Sequence, residues 1–323
     1  MTNFWQKLPK PFIVLAPMDD VTDNVFRKVI NETMRPDVFF TEFTNADGLA
    51  SPGSKIVGKK LKYESNQHPI VAQIWGNNPD TVYKAAKIVK DLGFDAIDFN
   101  MSCPVRNIVS KNCGAALIGN YDLAKNIIEA VRKGSGKLPI SVKTRLGLKN
   151  NVAADWCKFL LEQNLDTIII HARTAAEMSK VPAHWDEIGK IVKMRNEISP
   201  KTLIIGNGDI KSYDQALQVA KKYGVDGVMI GRGIFDNPWV FDKSSNNIHT
   251  KHDYLQLLLK HLNYFEIENP DEVVRRKRYS SLKKFFKMYI KEFKDASILR
   301  QTLMETDTVN EAREVLSKID LIK

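Results

Sequence analysis

The chain has 323 residues, of which 43% are hydrophobic and 27% charged, and it carries a formal net charge of +10 at pH 7. This composition is typical of a globular protein long enough for one large domain and a smaller one. No apolar stretch approaches the ~20 residues of a membrane-spanning helix, the N-terminus lacks a secretory apolar core, and the three cysteines match neither a disulfide framework nor a zinc-ligand spacing. We therefore expect a cytoplasmic protein without a membrane anchor or bound metal. The positive charge favours a polyanionic partner, although a lysine-rich solvated surface would also account for it.

Short apolar runs alternate with amphipathic segments over roughly the first 240 residues. Eight runs bounded by Gly, Pro, Asn or Asp are predicted strands: Phe12–Ala16, Val38–Phe43, Ile70–Ile74, Ala96–Phe99, Ile140–Lys143, Thr167–His171, Thr202–Gly206 and Gly227–Ile230. Helical periodicity predicts helices between them at Asp80–Leu92, Tyr121–Val131, Val152–Gln163 and Tyr213–Tyr223. Strands that alternate with helices indicate a parallel sheet, and eight such units predict a (β/α)8 TIM barrel of the α/β class.

The pattern changes in the last part of the chain. From about Asn246 onward only helical periodicity is found, and the preceding segment Lys243–Lys251, rich in Ser, Asn and His, is the predicted linker. We therefore predict a catalytic barrel over residues 1–242 and a small all-helical domain over residues 243–323.

Polar side chains follow nearly every predicted strand. The C-terminal ends of parallel barrel strands meet at one rim, where barrel enzymes hold their catalytic groups, and a purely structural barrel has no need for such clustering. Lys143 at this rim would place a positive charge beside a phosphate or a flavin ring, and Gln73 would offer a donor and an acceptor to a heterocycle. Each of them taken alone, like His171, is also typical of an ordinary structural or solvated residue.

Two glycine-rich turns follow the last two predicted strands. They are Gly206-Asn207-Gly208-Asp209 and Gly231-Arg232-Gly233. Their backbone N–H groups can approach a phosphate, Arg232 can pair with it, and phosphate sites of these barrels commonly lie in this region. The alternative is that the glycines only form tight turns.

One cysteine lies in a distinctive setting after the fourth predicted strand, in the run Asp98-Phe99-Asn100-Met101-Ser102-Cys103-Pro104. A thiol has an ordinary pKa near 8.5 and is mostly protonated at neutral pH, so Cys103 can donate a proton. A neighbouring base would instead make it a nucleophile, and a third possibility is an inert buried thiol.

The segment 275–294 of the helical region contains nine cations against one acidic residue, Glu292. Aromatic residues are interleaved with the cations, so helical spacing predicts one basic face and one apolar face. Such a density of cations suits a nucleic-acid backbone, and the alternative is a solvated helix surface.

Taken together and in order, several motifs resemble the dihydrouridine synthase family over roughly Pro11 to Phe241. The matching pieces are APM and VTD (16–18, 21–23), NMSCP (100–104), GAAL (114–117), VKTRLG (142–147), HART (171–174), HWDEI (184–188), GNGDI (206–210) and IGRGIFDNPW (230–239). Their order and spacing are far more specific than any single motif.

This resemblance implies an FMN-binding barrel with a helical domain that helps to hold tRNA. The implied reaction reduces the C5=C6 bond of uridine to dihydrouridine: Cys103 gives the proton to C5, reduced FMN gives the hydride to C6, and NADPH reduces the flavin again. Asn100 and Arg145 would face the uridine or its backbone. The implied FMN-binding residues are Pro17, Met18, Gln73, Lys143, His171, Asn207, Gly208, Asp209, Gly231 and Arg232. No oligomeric state is implied, and a monomer is the simplest expectation.

Two departures from the family pattern and three alternatives stay open. Asp19-Asp20 replace small residues after APM, which places carboxylates near the pocket, and Ser102 replaces a usual glycine before the thiol. The alternatives are dihydrouridine formation in ribosomal RNA, an FMN barrel acting on a small pyrimidine as dihydroorotate dehydrogenases do, and a non-catalytic RNA-binding protein. The basic helical region argues against the small substrate, and the complete set of flavin and thiol residues argues against the non-catalytic protein.

Overall fold

The computed structural model describes residues 3–244 and 248–318. Its sheet contains nine strands, all paired in parallel. They are β1 (Phe12–Leu15), β2 (Phe39–Phe40), β3 (Thr44–Asn45), β4 (Ile70–Trp75), β5 (Ala96–Asn100), β6 (Ile140–Gly147), β7 (Thr167–Thr174), β8 (Leu203–Asn207) and β9 (Gly227–Ile230).

The strand order shows that the sheet curls into a barrel. The order is β1-β9-β8-β7-β6-β5-β4-β2, with β3 paired to β4. A parallel bridge between Val14 and Val38 joins the two ends of this path, and the Leu15 N–H donates to the Val38 carbonyl at 3.3 Å. The predicted (β/α)8 barrel is therefore confirmed.

The second predicted strand, Val38–Phe43, is interrupted in the structure. Only Phe39–Phe40 and Thr44–Asn45 are paired as strands. Between them Glu42 leaves the ladder, and its carboxylate accepts a hydrogen bond from the Asp20 N–H at 2.7 Å. An apolar run cannot reveal this interruption, because the contact that accompanies it comes from a distant loop.

Apolar side chains close the N-terminal end of the barrel. Residues at alternating positions of a strand face the same side, so pairs such as Phe12 and Val14 or Leu203 and Ile205 point together into the core. Trp5, from the 3₁₀ helix Phe4–Lys7, is fully buried in the same cluster. The apolar plug leaves the opposite, C-terminal rim to polar side chains.

Helices follow the strands in the order that the periodicity predicts. The helix Tyr213–Tyr223 has its predicted bounds, and the helix predicted at Asp80–Leu92 is shifted by one residue at each end, to Pro79–Asp91. The helices are α1 (Asn24–Thr33), α2 (Ala46–Leu49), α3 (Ser54–Val57), α4 (Pro79–Asp91), α5 (Arg106–Val109), α6 (Tyr121–Ser135), α7 (Ala153–Leu161), α8 (Trp185–Ile198) and α9 (Tyr213–Tyr223), with 3₁₀ helices at Gly58–Leu61, Ser65–Gln67 and Gly114–Leu117.

The last part of the chain is helical, and no strand occurs in residues 232–244 or 248–318. Residues 245–247 of the predicted linker lie outside the described residues, and a helix starts at the last residue of the linker, Lys251. The helices are α10 (Gly233–Asp236), α11 (Lys251–Glu268), α12 (Glu272–Arg278), α13 (Ser280–Lys283), α14 (Phe286–Tyr289), α15 (Ala296–Glu305) and α16 (Val309–Ser317). Within the described ranges, no helix combines the length and apolarity that crossing a bilayer requires.

The chain forms two compact units. Each unit consists of two segments of the sequence. The first unit contains the residues up to Asn24 together with Pro36–Gly231, and the second contains Val25–Arg35 together with the residues from Arg232 onward. The predicted division at 242/243 and the functions assigned to its two parts stay predictions.

Helix α1 contributes to the second unit through specific contacts. Its Phe26 stacks on Phe285 with ring centroids 5.1 Å apart. The carboxylate of Glu32 accepts hydrogen bonds from Lys260 at 2.8 Å and from the Tyr264 hydroxyl at 2.6 Å. The second unit therefore includes a helix that precedes most of the barrel in the sequence.

Candidate active site

Cys103 lies in a tight turn at the C-terminal end of β5. Asn100, the last residue of β5, is buried, and its Oδ1 accepts hydrogen bonds from the N–H groups of Ser102 at 2.9 Å and Cys103 at 3.0 Å. Residues Asn100–Cys103 are called the thiol turn below. A single side-chain oxygen thus holds the backbone on which the thiol is mounted.

Cys103 is 8% exposed, and burial raises the pKa of its thiol. A hydrogen bond from the Val105 N–H and the charge of Arg145 oppose this shift without cancelling it. The thiol therefore stays protonated at neutral pH, as a proton donor must and a thiolate nucleophile does not. Cys113 and Cys157 are also free and buried, and burial raises their pKa values to about 11 and about 12.

Gly114 of the GAAL motif packs directly against the thiol turn. Its φ is +59°, and a Cβ at this position would lie 2.7 Å from the Cys103 carbonyl oxygen. The Ala115 N–H donates to the same oxygen at 3.0 Å. Only glycine combines this φ with such a close approach, so the motif supports the turn from its second side.

Gln73 holds the Asn100 side chain, and Gln73 is held in turn by Asp98, which Ser141 holds; the sequence analysis missed these last two residues. The Asn100 Nδ2 donates to Gln73 Oε1 at 2.9 Å, and the Gln73 Nε2 donates to Asp98 Oδ2 at 2.6 Å. The other oxygen of Asp98 accepts from the Ser141 hydroxyl at 2.6 Å. Asp98 is fully buried, and burial raises its pKa to about 6 against these hydrogen bonds and the charge of Lys143. The sequence signal that could have identified Asp98 as a functional residue is that it is the one charged residue in an otherwise apolar predicted strand.

Two cations of β6 meet at Ser102. The Lys143 Nζ donates to the Ser102 hydroxyl at 3.4 Å, and the Arg145 Nε donates to the Ser102 carbonyl at 2.7 Å. Arg145 also donates to the Thr174 carbonyl at 3.1 Å. The structure thus gives Ser102, a departure from the family pattern, a contact that glycine lacks.

Lys143 is buried and only 6% exposed. Burial and, to a smaller extent, the charge of Arg145 lower its pKa to about 7, although Asp98 and Cys103 oppose the shift. An ammonium has three donor hydrogens, and among the described residues the Ser102 hydroxyl is its single hydrogen-bond partner. Lys143 therefore keeps donors for a group outside the protein.

The ends of β7 and β8 form a second polar cluster. Arg173 bonds to the ring of His171 with 3.3 Å between Nη1 and Nε2, and it forms an ion pair with Asp209. The Asp209 carboxylate also accepts from the Ala183 N–H at 2.9 Å. Arg173 was missed, although it lies two residues after His171 on the same face of a strand. The contacts link His171 and Asp209 through one buried guanidinium.

The predicted turns after β8 and β9 differ in how open they are. Gly208 has φ +143°, and a Cβ there would lie 2.8 Å from the Ala183 Cβ. The Asn207 Nδ2 donates to the Met229 carbonyl at 2.9 Å, so this side chain bridges β8 and β9. A Cβ on Gly231 would meet nothing closer than the Ala16 Cβ at 3.6 Å. The turn at Gly231 is therefore less crowded than the turn at Gly208, although Ala16 and Met18 lie within van der Waals contact of a Cβ there.

The remaining predicted cofactor residues lie after β1 and after β9. Pro17 is buried, and Met18 is half-buried with its N–H donating to the Thr22 hydroxyl at 2.9 Å. Arg232 is exposed and is the first residue of the second compact unit after the barrel strands. The predicted role of Arg232 therefore rests on the sequence.

The two extra carboxylates after β1 are compensated by a lysine. Lys60 forms ion pairs with Asp19 and, at 3.6 Å, with the buried Glu42. Burial works against the charge on Lys60, but these carboxylates raise its pKa. Burial also raises the pKa of Glu42. Ligand oxygens of Asp19, Asp20 and Glu42 lie within 4.8 Å of one another, and the absence of a bound metal stays a prediction.

The basic segment of the second unit has the two faces that its spacing predicts. Its buried apolar side includes Tyr279, Leu282, Phe285, Phe286 and Tyr289. Its exposed cations are Arg276, Lys277, Arg278, Lys284, Lys287 and Lys294. We call these six exposed residues the basic face.

Sequence comparison finds one matching family and many relatives. A family profile described as "Dihydrouridine synthase (Dus)" matches residues 14–323. A "Probable tRNA-dihydrouridine synthase" of Staphylococcus aureus (strain Mu50) is 46% identical over 320 residues, which cover 98% of this chain and 96% of that protein. A "Probable tRNA-dihydrouridine synthase 2" of Bacillus subtilis (strain 168) is 44% identical, covering 98% and 97%.

Solved structures with similar folds are more distant in sequence. A variant of morphinone reductase in complex with tetrahydroNAD matches with a TM-score of 0.50 and 12% identity, over 71% of this chain and 85% of that one. A 2-naphthoyl-CoA reductase complex matches with a TM-score of 0.52 and 11% identity, over 70% of this chain and 48% of that one. At such low identity these matches show the barrel fold alone.

Proposed function

The chain belongs to the dihydrouridine synthase family, and we propose that it reduces the C5=C6 bond of uridine in tRNA, with FMN bound in the barrel and NADPH as the reductant. Cys103 is the proton donor to C5. The observation that carries this proposal is the buried, protonated thiol at the C-terminal rim, held by Asn100 beside the cation Lys143. We further propose that the protein acts in the cytoplasm as a monomer.

The residues present fit FMN. Lys143 is buried and retains donor hydrogens that can bind electron-rich oxygen atoms of a ligand, and Gly231 would place a residue without a side chain, in an uncrowded turn, beside that ligand. FMN would supply the hydride when reduced, since no side chain can. The residues that would hold it are Pro17, Met18, Gln73, Lys143, His171, Asn207, Gly208, Asp209, Gly231 and Arg232.

The chain's own residues would bind and orient the uridine. The Asn100 Oδ1 already accepts two backbone N–H groups, and one Nδ2 hydrogen is donated to Gln73. The second Nδ2 hydrogen remains, so Asn100 is a donor suited to a carbonyl oxygen of uracil. Arg145 would face the base or its backbone from the thiol turn. The target base must leave its stack to reach this buried thiol.

The thiol's protonation fits its role. A general acid must be protonated when it acts, and burial keeps Cys103 in that form at neutral pH. A proton donor with a raised pKa is also a weaker acid, so a close approach between the thiol and C5 matters more than its acidity.

We expect incubation of the full chain with FMN, NADPH and tRNA transcripts to convert uridine to dihydrouridine. Mass spectrometry would detect the two added hydrogens, and NADPH oxidation should match the product one to one. Ribosomal RNA fragments and free pyrimidines serve as comparison substrates. NADPH oxidation that requires a free pyrimidine, or product confined to ribosomal RNA, would overturn the proposed tRNA substrate.

We expect the basic face to set the salt dependence of tRNA binding. A protein that neutralises Z phosphates releases counterions, so log K falls with log[salt] in proportion to Z. Changing Arg276, Lys277, Lys287 and Lys294 to Gln together should make this slope shallower by about 3. The matched control changes exposed Lys125, Lys133, Lys193 and Lys221 on the outer barrel helices to Gln. Equal slopes for the two variants would contradict an RNA-binding role of the basic face.

A further inference from the structure

A buried chain of hydrogen bonds runs from Asp98 to the thiol turn, and every bond in it points the same way. The N–H groups of Ser102 and Cys103 donate to Asn100, Asn100 donates to Gln73, and Gln73 donates to Asp98. Gln73 and Asp98 are fully buried and Asn100 is 3% exposed. Cys103 thus depends on side chains deep in the barrel.

The direction of this chain is fixed at both ends. Backbone N–H groups can only donate, and an ionised carboxylate can only accept. An amide between them can be turned either way, but just one orientation of Gln73 and Asn100 satisfies both ends. The carboxylate of Asp98 is therefore the acceptor that the two amides require.

We infer that Asp98 is a positioning residue for the dihydrouridine synthase reaction, which acts through Gln73 and Asn100 to hold the thiol turn and to keep Asn100 as a donor toward the substrate. The part of this inference that concerns the substrate rests on the proposed function. The part that concerns the position of the thiol turn rests on the hydrogen bonds alone. The hydrogen bonds that connect Asp98 to the thiol turn pass through the two amides, and its charge also acts on Lys143. Its loss would act by freeing Gln73 to rotate, after which Asn100 loses its acceptor.

Exchanging the amide and the carboxylate between positions 73 and 98 tests the direction of these hydrogen bonds. In Gln73→Glu, the new carboxylic acid would mimic glutamine while it is protonated, by donating its O–H to Asp98 and accepting from Asn100. Ionisation of the new group would place two carboxylates against each other, and the pair would tend to retain one proton. In the double variant Gln73→Glu/Asp98→Asn, the amide introduced at position 98 would donate to an ionised carboxylate at position 73, which still accepts from Asn100. The second change should therefore rescue the first.

The experiment must separate the titration of the two carboxylates from that of other nearby groups. Asp98 faces the hydroxyl of Ser141 and the amide of Gln73, and Lys143 is the cation that acts on it. Lys143 and Cys103 titrate in all the variants, so the ratio of each variant to wild type isolates the pair of carboxylates. Both variants carry glutamate at position 73, so comparing them also cancels the effect of any direct contact between residue 73 and the flavin.

The first readout is the alkylation rate of Cys103 by iodoacetamide in the FMN-loaded full chain, resolved by site with mass spectrometry. We expect Gln73→Glu to alkylate about tenfold faster than the double variant at about pH 8.5, and the difference to shrink toward about pH 6.5. Cys157, which is fully buried on α7, serves as an internal control for global opening. This readout needs no substrate, so it stands even if the proposed activity fails.

The second readout is the pH profile of dihydrouridine formation. Gln73→Glu should show an additional loss of kcat on the alkaline side, about tenfold, that the double variant lacks. Identical alkylation rates and identical profiles for the single and double variants would overturn the positioning role of Asp98. The expected difference in alkylation with no dihydrouridine from any variant, wild type included, would overturn the proposed function and leave the structural coupling intact.

Discussion

Replacing Cys103 with alanine is expected to lower the rate of dihydrouridine formation by about 10²–10⁴-fold, the usual contribution of a general acid. In the proposed reaction the thiol of Cys103, which the backbone turn holds at the C-terminal rim of the barrel, supplies the proton to C5. The rate at which NADPH reduces the bound flavin should stay unchanged, since that step needs no proton from Cys103. Anaerobic stopped-flow absorbance separates the two half-reactions.

Two further variants sharpen this result. Cys157→Ala makes the same change in the core, away from the rim, and should leave both half-reactions at wild-type rates. Cys103→Ser keeps a hydroxyl that does not ionise in the working range, so the part of any alkaline fall in rate that comes from ionisation of the thiol should disappear while the overall rate stays low. If Cys103→Ala formed dihydrouridine at the wild-type rate, the proton would have to come from another group.

Replacing Lys143 with methionine is expected to stabilise the protein and to lower its rate of dihydrouridine formation strongly. The folded-state pKa of Lys143 is lowered to about 7 from an ordinary value of 10.5. The unfolded chain therefore binds more protons than the native one between these pH values, so stability rises with pH across this window. Below about pH 7, the cost of burying the charged lysine lowers the free energy of unfolding by its maximum amount.

A methionine of similar length removes that opposition. We expect about 1–4 kcal/mol of added stability at pH 7, the range found when buried ion pairs are replaced by apolar side chains of similar volume. The gain should shrink toward about pH 10, where the wild-type lysine opposes folding least. The same change removes the favourable interaction of the Lys143 charge with Asp98. Because this loss is destabilising, the lower end of the expected stability gain is only about 1 kcal/mol.

Thermal unfolding followed by circular dichroism at several pH values measures this effect. Lys193→Met on the exposed side of α8 is the matched control, and it should change stability by no more than about 0.5 kcal/mol. Dihydrouridine formation by Lys143→Met should fall by about 100-fold or more, because the cation stabilises charge in the pocket. A lower melting temperature at every pH would show that the buried ammonium helps to hold the apo fold together.

The barrel and its rim were predictable because their signals are local. Alternating apolar runs and helical periods identify the strands and helices, and parallel strands bring their C-terminal ends to one rim, so Gln73, Asn100, Cys103 and Lys143 could be placed without coordinates. The motif series then narrowed the family, which the comparisons established.

What the sequence did not reveal depends on pairings between distant segments. Asp98 read as one polar residue in an apolar strand, since its partners Gln73 and Ser141 come from the two neighbouring strands. Ser102 had no evident purpose until Lys143 was found beside its hydroxyl. Lys60 sits in a lysine-rich surface segment, and nothing in that segment indicates an ion pair with Asp19 and Glu42.

Helix α1 has a consequence for how this protein is made and how its parts can be exchanged. Val25–Arg35 leave the ribosome early, yet the residues they pack against, such as Phe285 and Lys260, come more than two hundred positions later. The second unit can therefore be completed only after the intervening barrel has been synthesised. A chimera that takes this unit from a relative must carry both pieces, since the C-terminal fragment by itself would leave the face that receives Phe26 uncovered.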